Sequence, residues 1–507
     1  MRRSIVGLFC VFALACGDPA ASAVPGAVTV TADAVLAHVR AASGSVPHAY
    51  REVVDATESG SVTRIVTVRA GDDVRETFDQ GPLHAERGTV GGQAWSQNDN
   101  GETVLERLPE DSGTDAAAPA SSVARVATPV DGYVLSSVDA SGYATRRYVD
   151  RTTWRVLRSE EERASGMRVT MYDDFRTVDG YTLPFHAVES DGHPEDDVDR
   201  RVVAFGAATV APADVAIPPS RTSFVAFPPG KAIVQLPVHE ERDVFVVRVN
   251  VGSRGLDFEI DSGASGIVLE SGVARQLRLP ELAATSNAFN AGRYRETTTV
   301  VPEMKVGDLD MHDVVIRTVP SLEGQSELGD YKIVGLLGYD FLAALALKLD
   351  YFNGTATAYA PGAFTPPVDF NGFPLDLDLS DGAAFTSIDI NGSTGDRFAI
   401  DTGAYGSLLL FDRFQRQHPA ALIDEGGGAY RDIRMVGVGG DIPVKPYQLK
   451  AVRFGTVTFH DFVAYALTNR AAYDDGTDGV VGQKFLHLFD VYLDYAKSKA
   501  YFVFHDG

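Results

Sequence analysis

The pattern of apolar and polar positions predicts a mainly β protein with one helix near its start. In residues 31–42 the apolar positions recur at helical spacing, and Thr31 precedes them as a candidate N-cap. Farther on, apolar and polar residues alternate as in half-buried strands, most clearly at 61–69, 148–158 and 167–175. From residue 231 onward, short runs of Val, Ile, Phe and Tyr are broken by glycine, which again indicates strands.

The second half of the chain contains a repeat. Residues 258–264 (FEIDSGA) return as residues 398–404 (FAIDTGA), 140 positions later. Further landmarks recur in the same order, and they pair 305–313 with 453–461, 336–342 with 480–486, and 349–351 with 493–495. Matched landmarks in one order indicate a duplicated domain.

Each copy of the motif ends an apolar run with an aspartate, a hydroxyl residue and a glycine. The aspartates are Asp261 and Asp401. If they face each other, two like charges in close contact cannot both ionise, so one carboxyl keeps its proton while the other stays charged. A water held between them would then meet a base and an acid together. A lone Asp-Ser-Gly would carry little weight, because such tripeptides also occur in ordinary turns.

Residues from about 235 to the C-terminus resemble bacterial retropepsin-like aspartyl proteases arranged as two lobes in one chain. The family pattern is D-[ST]-G-A, a glycine-bearing flap hairpin, then two apolar residues and a glycine. Here it matches residues 261–264 with 336–338, and 401–404 with 480–482. The resemblance implies two homologous β lobes with pseudo-two-fold symmetry. It also implies that Asp261 and Asp401 are a catalytic dyad that hydrolyses peptide bonds without a cofactor.

The neighbours of the two aspartates are expected to support the dyad. The hydroxyl residues would hydrogen-bond to the opposite lobe and the glycines would allow a tight turn; these residues are Ser262, Gly263, Thr402 and Gly403. Pepsin-like enzymes commonly place a hydroxyl residue next, which favours the ionised dyad. This chain has Ala264 and Ala404 instead, so we expect a pH optimum nearer 5–6 than strongly acidic.

Composition and motifs divide the chain into five segments. These are a targeting segment at 1–23, an N-terminal α+β domain at 24–210, a proline-rich linker at 211–230, lobe 1 at 231–361 and lobe 2 at 362–507. Because proline lacks a backbone N–H group, the linker is not expected to form the hydrogen bonds of a β sheet.

A hairpin flap is expected over the cleft from each lobe. In lobe 1 it falls at 288–298, and in lobe 2 at 435–441. The residues expected to contact substrate there are Gly292, Tyr294, Gly437, Gly439 and Gly440. A solvated hairpin is the alternative for the Tyr294 side chain.

The N-terminal domain is loosely similar to half-barrels of the lipoprotein-carrier type. The similarity rests on residues 150–154, 172–175 and 178–184. It implies a curved antiparallel sheet with a helix across its mouth, whose concave apolar face would hold a lipid or an apolar peptide. A structural or chaperone-like prodomain is the alternative.

Residues 1–23 have the features of an export signal. Arg2 and Arg3 precede an apolar run at 5–15, which is shorter than the ~20 residues a membrane-spanning helix needs. Cleavage before Cys16, which would then carry a lipid anchor, and cleavage after Ala23 both remain open. Either predicts a periplasmic, lipid-anchored or secreted protein. The only cysteines lie in this segment, which excludes cysteine-protease chemistry in the mature domains.

Composition and charge limit the classes of molecule that the chain is expected to bind. The 507 residues are 45% hydrophobic and 22% charged, which describes a globular protein of several units. The net charge of −24 disfavours nucleic acid and anionic membrane surfaces as partners. No metal-binding motif is present, and the histidines are scattered. We therefore expect no metal and no cofactor.

The sequence favours an exported aspartic endopeptidase that acts on a peptide or protein substrate. Because both lobes lie in one chain, the catalytic unit is expected to be a monomer. Two alternatives stay open. In one, the chain is a non-catalytic periplasmic or surface protein that binds a lipid or peptide in the half-barrel. In the other, residues 24–222 cover the cleft until they are removed, and the linker is the place to cut.

Overall fold

The structure is a computed structural model of the full chain. It describes residues 30–106, 122–139, 142–163, 166–221, 224–289, 292–322, 327–328, 331–367, 371–422, 433–437, 440–468 and 476–504. The targeting segment, with Cys16, lies outside these residues, and so does Gly439 of the lobe-2 flap. Within the described residues, no helix is long and apolar enough to cross a membrane.

The N-terminal region is built of antiparallel strands and two helices, with one 3₁₀ turn at Pro194–Asp196. The helices are α1 (Ala32–Ser43) and α2 (Pro212–Val215). The strands are β1 (Ala49–Glu58), β2 (Ser61–Ala70), β3 (Asp73–Gln80), β4 (Leu83–Val90), β5 (Gln93–Gln97), β6 (Thr103–Glu106), β7 (Ser122–Val126), β8 (Gly132–Val138), β9 (Ala144–Asp150), β10 (Val156–Arg163), β11 (Gly166–Val178), β12 (Tyr181–Ser190) and β13 (Val198–Ala207).

The chain forms two compact units whose boundaries do not follow the sequence segments. Of the described residues, 30–77 and 122–216 form one unit, called here the N-terminal unit. Residues 78–106 and 217–504 form the other, called the lobe unit. Residues 78–106 therefore belong with the lobes, although the sequence pattern grouped them with the N-terminal domain.

The N-terminal unit packs α1 against an antiparallel sheet. Its strands follow the order β2-β1-β13-β12-β11-β10-β9-β8-β7. The predicted helix is confirmed within one residue at each end, and the Thr31 hydroxyl caps it by accepting from the Ala34 N–H at 3.2 Å. Its apolar face contacts Leu135 and Val149 of the sheet. Burial of this one apolar face fixes the helix on the sheet.

One predicted strand of this unit was wrong. The alternating stretch at 148–158 is two strands, because β9 ends at Asp150 and β10 begins at Val156. The Asp150 carboxylate accepts hydrogen bonds from the backbone N–H groups of Thr152 and Thr153 at 3.0 and 2.6 Å. Such side-chain capping favours a turn over a continuous strand, and apolar periodicity alone does not report it.

Lobe 1 is a β sheet with two short helices, α3 (Ser271–Gln276) and α4 (Tyr339–Ala343). At its centre, β18 and β24 pair in parallel, β24 pairs with β19 in antiparallel fashion, and β19 and β22 pair in parallel. The strands are β14 (Val225–Ala226), β15 (Ile233–Leu236), β16 (Val238–Glu241), β17 (Val244–Val251), β18 (Arg254–Ile260), β19 (Ile267–Glu270), β20 (Ala283–Phe289), β21 (Gly292–Val306), β22 (Leu309–Val319), β23 (Glu327–Leu328), β24 (Tyr331–Leu337), β25 (Ala346–Asp350) and β26 (Thr355–Tyr359).

Lobe 2 repeats this arrangement with helices α5 (Asp412–Gln417) and α6 (Gln483–Leu486) and 3₁₀ turns at Pro419–Ala421 and Tyr495–Lys497. Here β30 and β35 pair in parallel, β35 pairs with β31 in antiparallel fashion, and β31 and β34 pair in parallel. The strands are β27 (Gly372–Asp376), β28 (Asp378–Ser380), β29 (Ala383–Ile390), β30 (Ser393–Ile400), β31 (Leu408–Leu410), β32 (Ile433–Gly437), β33 (Gly440–Phe454), β34 (Val457–Leu467), β35 (Gly479–Val481), β36 (Phe489–Asp494) and β37 (Lys499–Phe504).

A six-stranded sheet joins the two lobes. Its order is β15-β26-β25-β36-β37-β27, so lobe 1 and lobe 2 contribute three strands each. At the junction β25 and β36 pair in antiparallel register, with Leu349 opposite Val491. One large core of buried apolar residues runs through both lobes. The predicted mainly β fold with two homologous lobes is confirmed.

Residues 98–100 hydrogen-bond to lobe 1. The Asn98 and Asn100 amides donate to the Asp340 carboxylate at 2.7 and 3.1 Å. Asn100 also exchanges hydrogen bonds with the backbone N–H and C=O of Val315 in β22, at 2.8 and 3.0 Å. The Arg221 N–H donates to the Gly101 carbonyl at 2.8 Å. These contacts explain why residues 78–106 cluster with the lobes.

The predicted linker is partly ordered by secondary structure, contrary to the expectation from its prolines. It contains α2, and β14 pairs with Asp310 and Met311 of β22. Val225 and Ala226 lie between the proline pairs, so both keep the N–H groups that a ladder requires.

The carboxyl of Asp340 should make stability depend on pH. Burial raises the pKa of Asp340 to about 6, although the Arg317 guanidinium opposes this shift. Between about pH 4 and pH 6 the folded chain keeps a proton that the unfolded chain has lost. The contribution of this one carboxyl to stability therefore falls as pH rises through this window, by about 3 kcal/mol. We expect Asp340→Asn to flatten this dependence, as measured by denaturant unfolding at pH 4 and pH 7.

The exposed Asp308→Asn variant is the control and should retain the full pH dependence. Equal pH dependence in the Asp340→Asn variant and the parent chain would contradict the assignment.

Candidate active site

The two repeated aspartates follow directly after matching strands. Asp261 comes after β18 and Asp401 after β30. The Asp261 N–H donates to the Leu337 carbonyl at 3.1 Å, and the Asp401 N–H donates to the Val481 carbonyl at 3.0 Å. In each lobe the neighbouring parallel strand therefore fixes the backbone where the aspartate begins.

Four hydrogen bonds lock the Asp261 turn to the Asp401 turn. The Ser262 N–H donates to the Thr402 hydroxyl oxygen, and the Thr402 N–H donates to the Ser262 hydroxyl oxygen, both at 3.0 Å. Each hydroxyl then donates across to the opposite lobe, Ser262 to the Ile400 carbonyl and Thr402 to the Ile260 carbonyl, both at 2.8 Å. The N–H groups and hydroxyls of Ser262 and Thr402 are all buried, so the loss of any one of these hydrogen bonds would lower the free energy of unfolding.

The lock brings the two carboxyl groups together. Asp261 and Asp401 are 5% and 8% exposed, and each carboxyl lies against the glycine that follows the other aspartate. A Cβ on Gly263 would collide with the Asp401 carboxyl, and one on Gly403 would collide with the Asp261 carboxyl. Each glycine is therefore required by the close approach of the opposite aspartate.

The environment of the pair favours one retained proton. Burial and the charge of Asp261 raise the pKa of the Asp401 carboxyl well above its usual range. Two hydrogen bonds oppose this shift, because the N–H groups of Gly403 and Ala404 donate to Asp401 Oδ1 at 2.8 and 2.9 Å. Asp261 Oδ1 accepts from the Gly263 N–H at 2.9 Å. The pair titrates as one coupled unit.

The apolar-apolar-glycine segments lie behind the aspartates. A side chain on Gly338 would collide with the carbonyl oxygens of Ala264 and Gly266. One on Gly482 would meet the Ala404 carbonyl oxygen at 2.5 Å. Glycine is therefore needed at both positions for the chain to pass this closely. In lobe 2, the Gln483 amide adds a hydrogen bond to the Thr402 carbonyl at 2.8 Å.

The structure forms a hairpin at both predicted flap positions. In lobe 1, Phe289 of β20 pairs with Gly292 of β21. In lobe 2, Gly437 of β32 pairs with Gly440 of β33. Tyr294 is half-buried, and it packs against a group of buried apolar residues that we call the Val246 cluster: Val244, Val246, Val268, Val319, Leu322, Ile333 and Leu336. The Tyr294 ring therefore lies against lobe 1 and is not a solvated tip.

Sequence reasoning missed three buried polar groups near the pair. Glu259 is 1% exposed, and its only signal was that it replaces the Ala399 of the second copy. Tyr351 and Tyr495 follow the repeated Leu-Asp pairs, which end β25 and β36. Burial, followed by nearby carboxylates that include Asp401, raises the pKa of both tyrosines. No three His, Cys, Asp or Glu side chains in the described residues are grouped so that they could hold a metal ion.

Comparison with known proteins agrees with this geometry. The aspartyl protease family model matches residues 246–341 in lobe 1 and 386–485 in lobe 2. Both lobes resemble aspartyl proteases. The predicted resemblance is thus confirmed over these two regions. No curated protein gave a significant match to the chain.

Several solved structures are similar to parts of the chain. An aspartic proteinase from Irpex lacteus is 15% identical and covers 54% of this chain and 98% of its own, with a TM-score of 0.34. A putative outer membrane lipoprotein-sorting protein domain from Vibrio parahaemolyticus is 11% identical, covers 36% and 95%, and has a TM-score of 0.28. A LolA superfamily protein from Nitrosomonas europaea is 11% identical, covers 37% and 98%, and has a TM-score of 0.29.

Removing one hydroxyl from the lock should weaken the fold measurably. Thr402→Val keeps the side-chain shape but leaves the Ser262 N–H and the Ile260 carbonyl unpaired. We expect the free energy of unfolding to fall by about 2–4 kcal/mol, as measured by denaturant titration. Adding Ser262→Ala should cost less than the sum of the two single losses, because both residues share one network.

The exposed Thr458→Val is the matched control and should change stability by no more than about 0.5 kcal/mol. Additive losses in the double variant would show that the lock is not one unit.

Proposed function

We propose that this chain is an exported aspartic endopeptidase. The observation that carries the proposal is the close approach of the Asp261 and Asp401 carboxyls, which lie at the same point of each lobe and each against the glycine that follows the other aspartate. A buried pair of carboxyls that shares one proton supplies a general base and a general acid at the same place. The match of both lobes to the aspartyl protease model supports the same chemistry.

In the proposed reaction, a water bound by both carboxyls attacks the carbonyl carbon of a peptide bond. The ionised carboxyl accepts a proton from the water, while the protonated carboxyl donates its proton to the carbonyl oxygen. The tetrahedral intermediate then collapses. One of its hydroxyls returns a proton to the carboxyl that donated one, the C–N bond breaks, and the leaving amine takes a proton from the carboxyl that accepted one from the water. Protons and electrons balance within the dyad, so the step needs no cofactor.

The substrate is proposed to be an extended peptide that lies beneath the two hairpins, β20–β21 and β32–β33. Both carboxyls come from one chain, so a monomer can form the catalytic unit. The net charge of −24 disfavours nucleic acid as a partner. Export, with or without a lipid on Cys16, is proposed from the targeting segment alone. A lipid or peptide ligand of the N-terminal unit stays a prediction.

Replacing either aspartate should abolish peptide hydrolysis. Asn is close in shape but cannot hold the negative charge, so we expect both Asp261→Asn and Asp401→Asn to lower kcat by about 10³-fold or more. The measurement is cleavage of a diverse peptide mixture by the chain without its targeting segment, followed by mass spectrometry. A statine-type inhibitor should block the parent chain.

The control for these variants is Asp461→Asn. Asp461 is exposed and has a left-handed φ of 54°, a conformation that Asn also accepts. The Asp461→Asn variant should leave the rate of peptide cleavage unchanged. A folded parent chain with no cleavage would favour the binding-protein hypothesis. Activity that appears only after a cut in the 211–230 segment would instead support a zymogen.

The pH profile of cleavage should be bell-shaped with its maximum near pH 5–6. The raised pKa of Asp401 keeps the shared proton to higher pH, and activity declines once that proton is lost. At low pH the second carboxyl is protonated too, and the base is lost. The measurement is kcat/KM between pH 3 and pH 8. A maximum near pH 2 would contradict the expectation drawn from Ala264 and Ala404.

A further inference from the structure

Glu259 is a buried carboxyl that the proposed mechanism does not use. It is 1% exposed, and neither of its oxygens has a hydrogen-bond partner among the described residues. Buried carboxyls are normally paired, because an unpaired polar group in the interior loses its hydration without compensation. The side chain is therefore suited to receive a partner that is not part of the chain.

The strand geometry places Glu259 on the face of the lobe-1 sheet that carries the Val246 cluster. In β18, Glu259 lies opposite Val246 of β17 and beside Leu336 of β24. Side chains at paired positions share one face of a sheet, and both of these neighbours belong to the Val246 cluster. The same cluster contacts Ala264, which ends the catalytic motif, and Tyr294 on the flap strand. Glu259 thus shares a sheet face with residues that contact both the Asp261 turn and the flap strand.

The second lobe shows that the fold does not need this carboxyl. Ala399 occupies the matching position in β30, opposite Phe385 of β29 and beside Val480 of β35. All three residues belong to an apolar cluster. The two lobes are therefore alike in backbone at this position and different in chemistry, with a carboxyl in lobe 1 and a methyl group in lobe 2.

The charges that act on Glu259 are negative. Burial, and then the charges of Asp261 and Asp401, raise the pKa of Glu259 well above its usual range. A cation placed beside Glu259 would relieve both effects, because it would supply the missing hydrogen bond and offset the neighbouring carboxyls. The net charge of −24 would also attract cationic peptides to the chain.

We propose that Glu259 is a specificity-determining residue that accepts a lysine or arginine side chain of the substrate on the lobe-1 side of the cleft. This inference rests on the proposed peptidase function. The lobe-2 side, with Ala399, takes an apolar side chain. The substrate class is therefore a peptide with a basic residue on one side of the scissile bond and an apolar residue on the other.

The test compares peptides that differ at one position only. Cleavage of a peptide mixture first locates the scissile bond, and lysine or norleucine is then placed at each flanking position in turn. The parent chain should prefer lysine at one of these positions by at least about tenfold in kcat/KM, as expected for a charge-assisted pair. Glu259→Gln should lower this lysine-to-norleucine ratio by at least tenfold, and Glu259→Ala should favour norleucine.

A second readout does not require turnover. Statine-type inhibitors can carry lysine or norleucine at the same position. The parent chain should bind the lysine inhibitor more tightly, and Glu259→Ala should bind the norleucine inhibitor more tightly, as judged by their inhibition constants. The control variant is Glu303→Gln, which removes one exposed carboxylate from lobe 1 and changes the net charge equally. It should leave the ratio unchanged, and thermal unfolding verifies that every variant is folded.

The outcomes separate this inference from the proposed function. Cleavage by the parent chain with equal lysine-to-norleucine ratios before and after Glu259→Gln would overturn the basic subsite and leave the peptidase proposal standing. A preference for norleucine or glutamine in the parent chain would overturn it as well. No cleavage and no inhibitor binding by the folded parent chain would overturn both proposals.

Discussion

The site depends on the four hydrogen bonds between the Ser262 and Thr402 turns. Two buried carboxyls repel each other when both are charged, and both resist burial. Nothing in the aspartates themselves would keep them in contact. The hydroxyl lock does so by tying each turn to the backbone of the other lobe. The six-stranded sheet beneath, with Leu349 opposite Val491, holds the lobes in the register that the lock requires.

Duplication gave the two lobes the same backbone arrangement, which we call the frame, and the side chains around it differ between the lobes. Both lobes place a glycine behind the aspartate and form a hairpin at the matching position. The residue after that glycine is Tyr339 in lobe 1 and Gln483 in lobe 2, and the glutamine side chain donates to the Thr402 carbonyl in the turn of its own lobe. Glu259 in lobe 1 and Ala399 in lobe 2 also occupy matching positions and carry different side chains. The frame determines where the reaction occurs, while these unlike pairs can determine which substrate is chosen.

The lobes also depend on a segment from outside them. Residues 78–106 contribute Asn98 and Asn100, which satisfy the buried carboxylate of Asp340. Without those amides, Asp340 would be left with a larger cost of burial. A fragment that begins after the linker would therefore lose part of lobe 1's hydrogen bonding. For this reason, the proposed experiments use a chain that retains residues 78–106.

The sequence alone determined the features that local patterns encode. The repeated motif located both aspartates, apolar alternation predicted the β lobes, and Thr31 marked the start of the helix. It failed where distant residues decide the outcome. Asn98 meets Asp340 across 242 positions, and Glu259 looked like one polar residue in an apolar run. Only the tertiary structure decided these points, because burial and pairing depend on which strands become neighbours, and that is a property of the whole sheet.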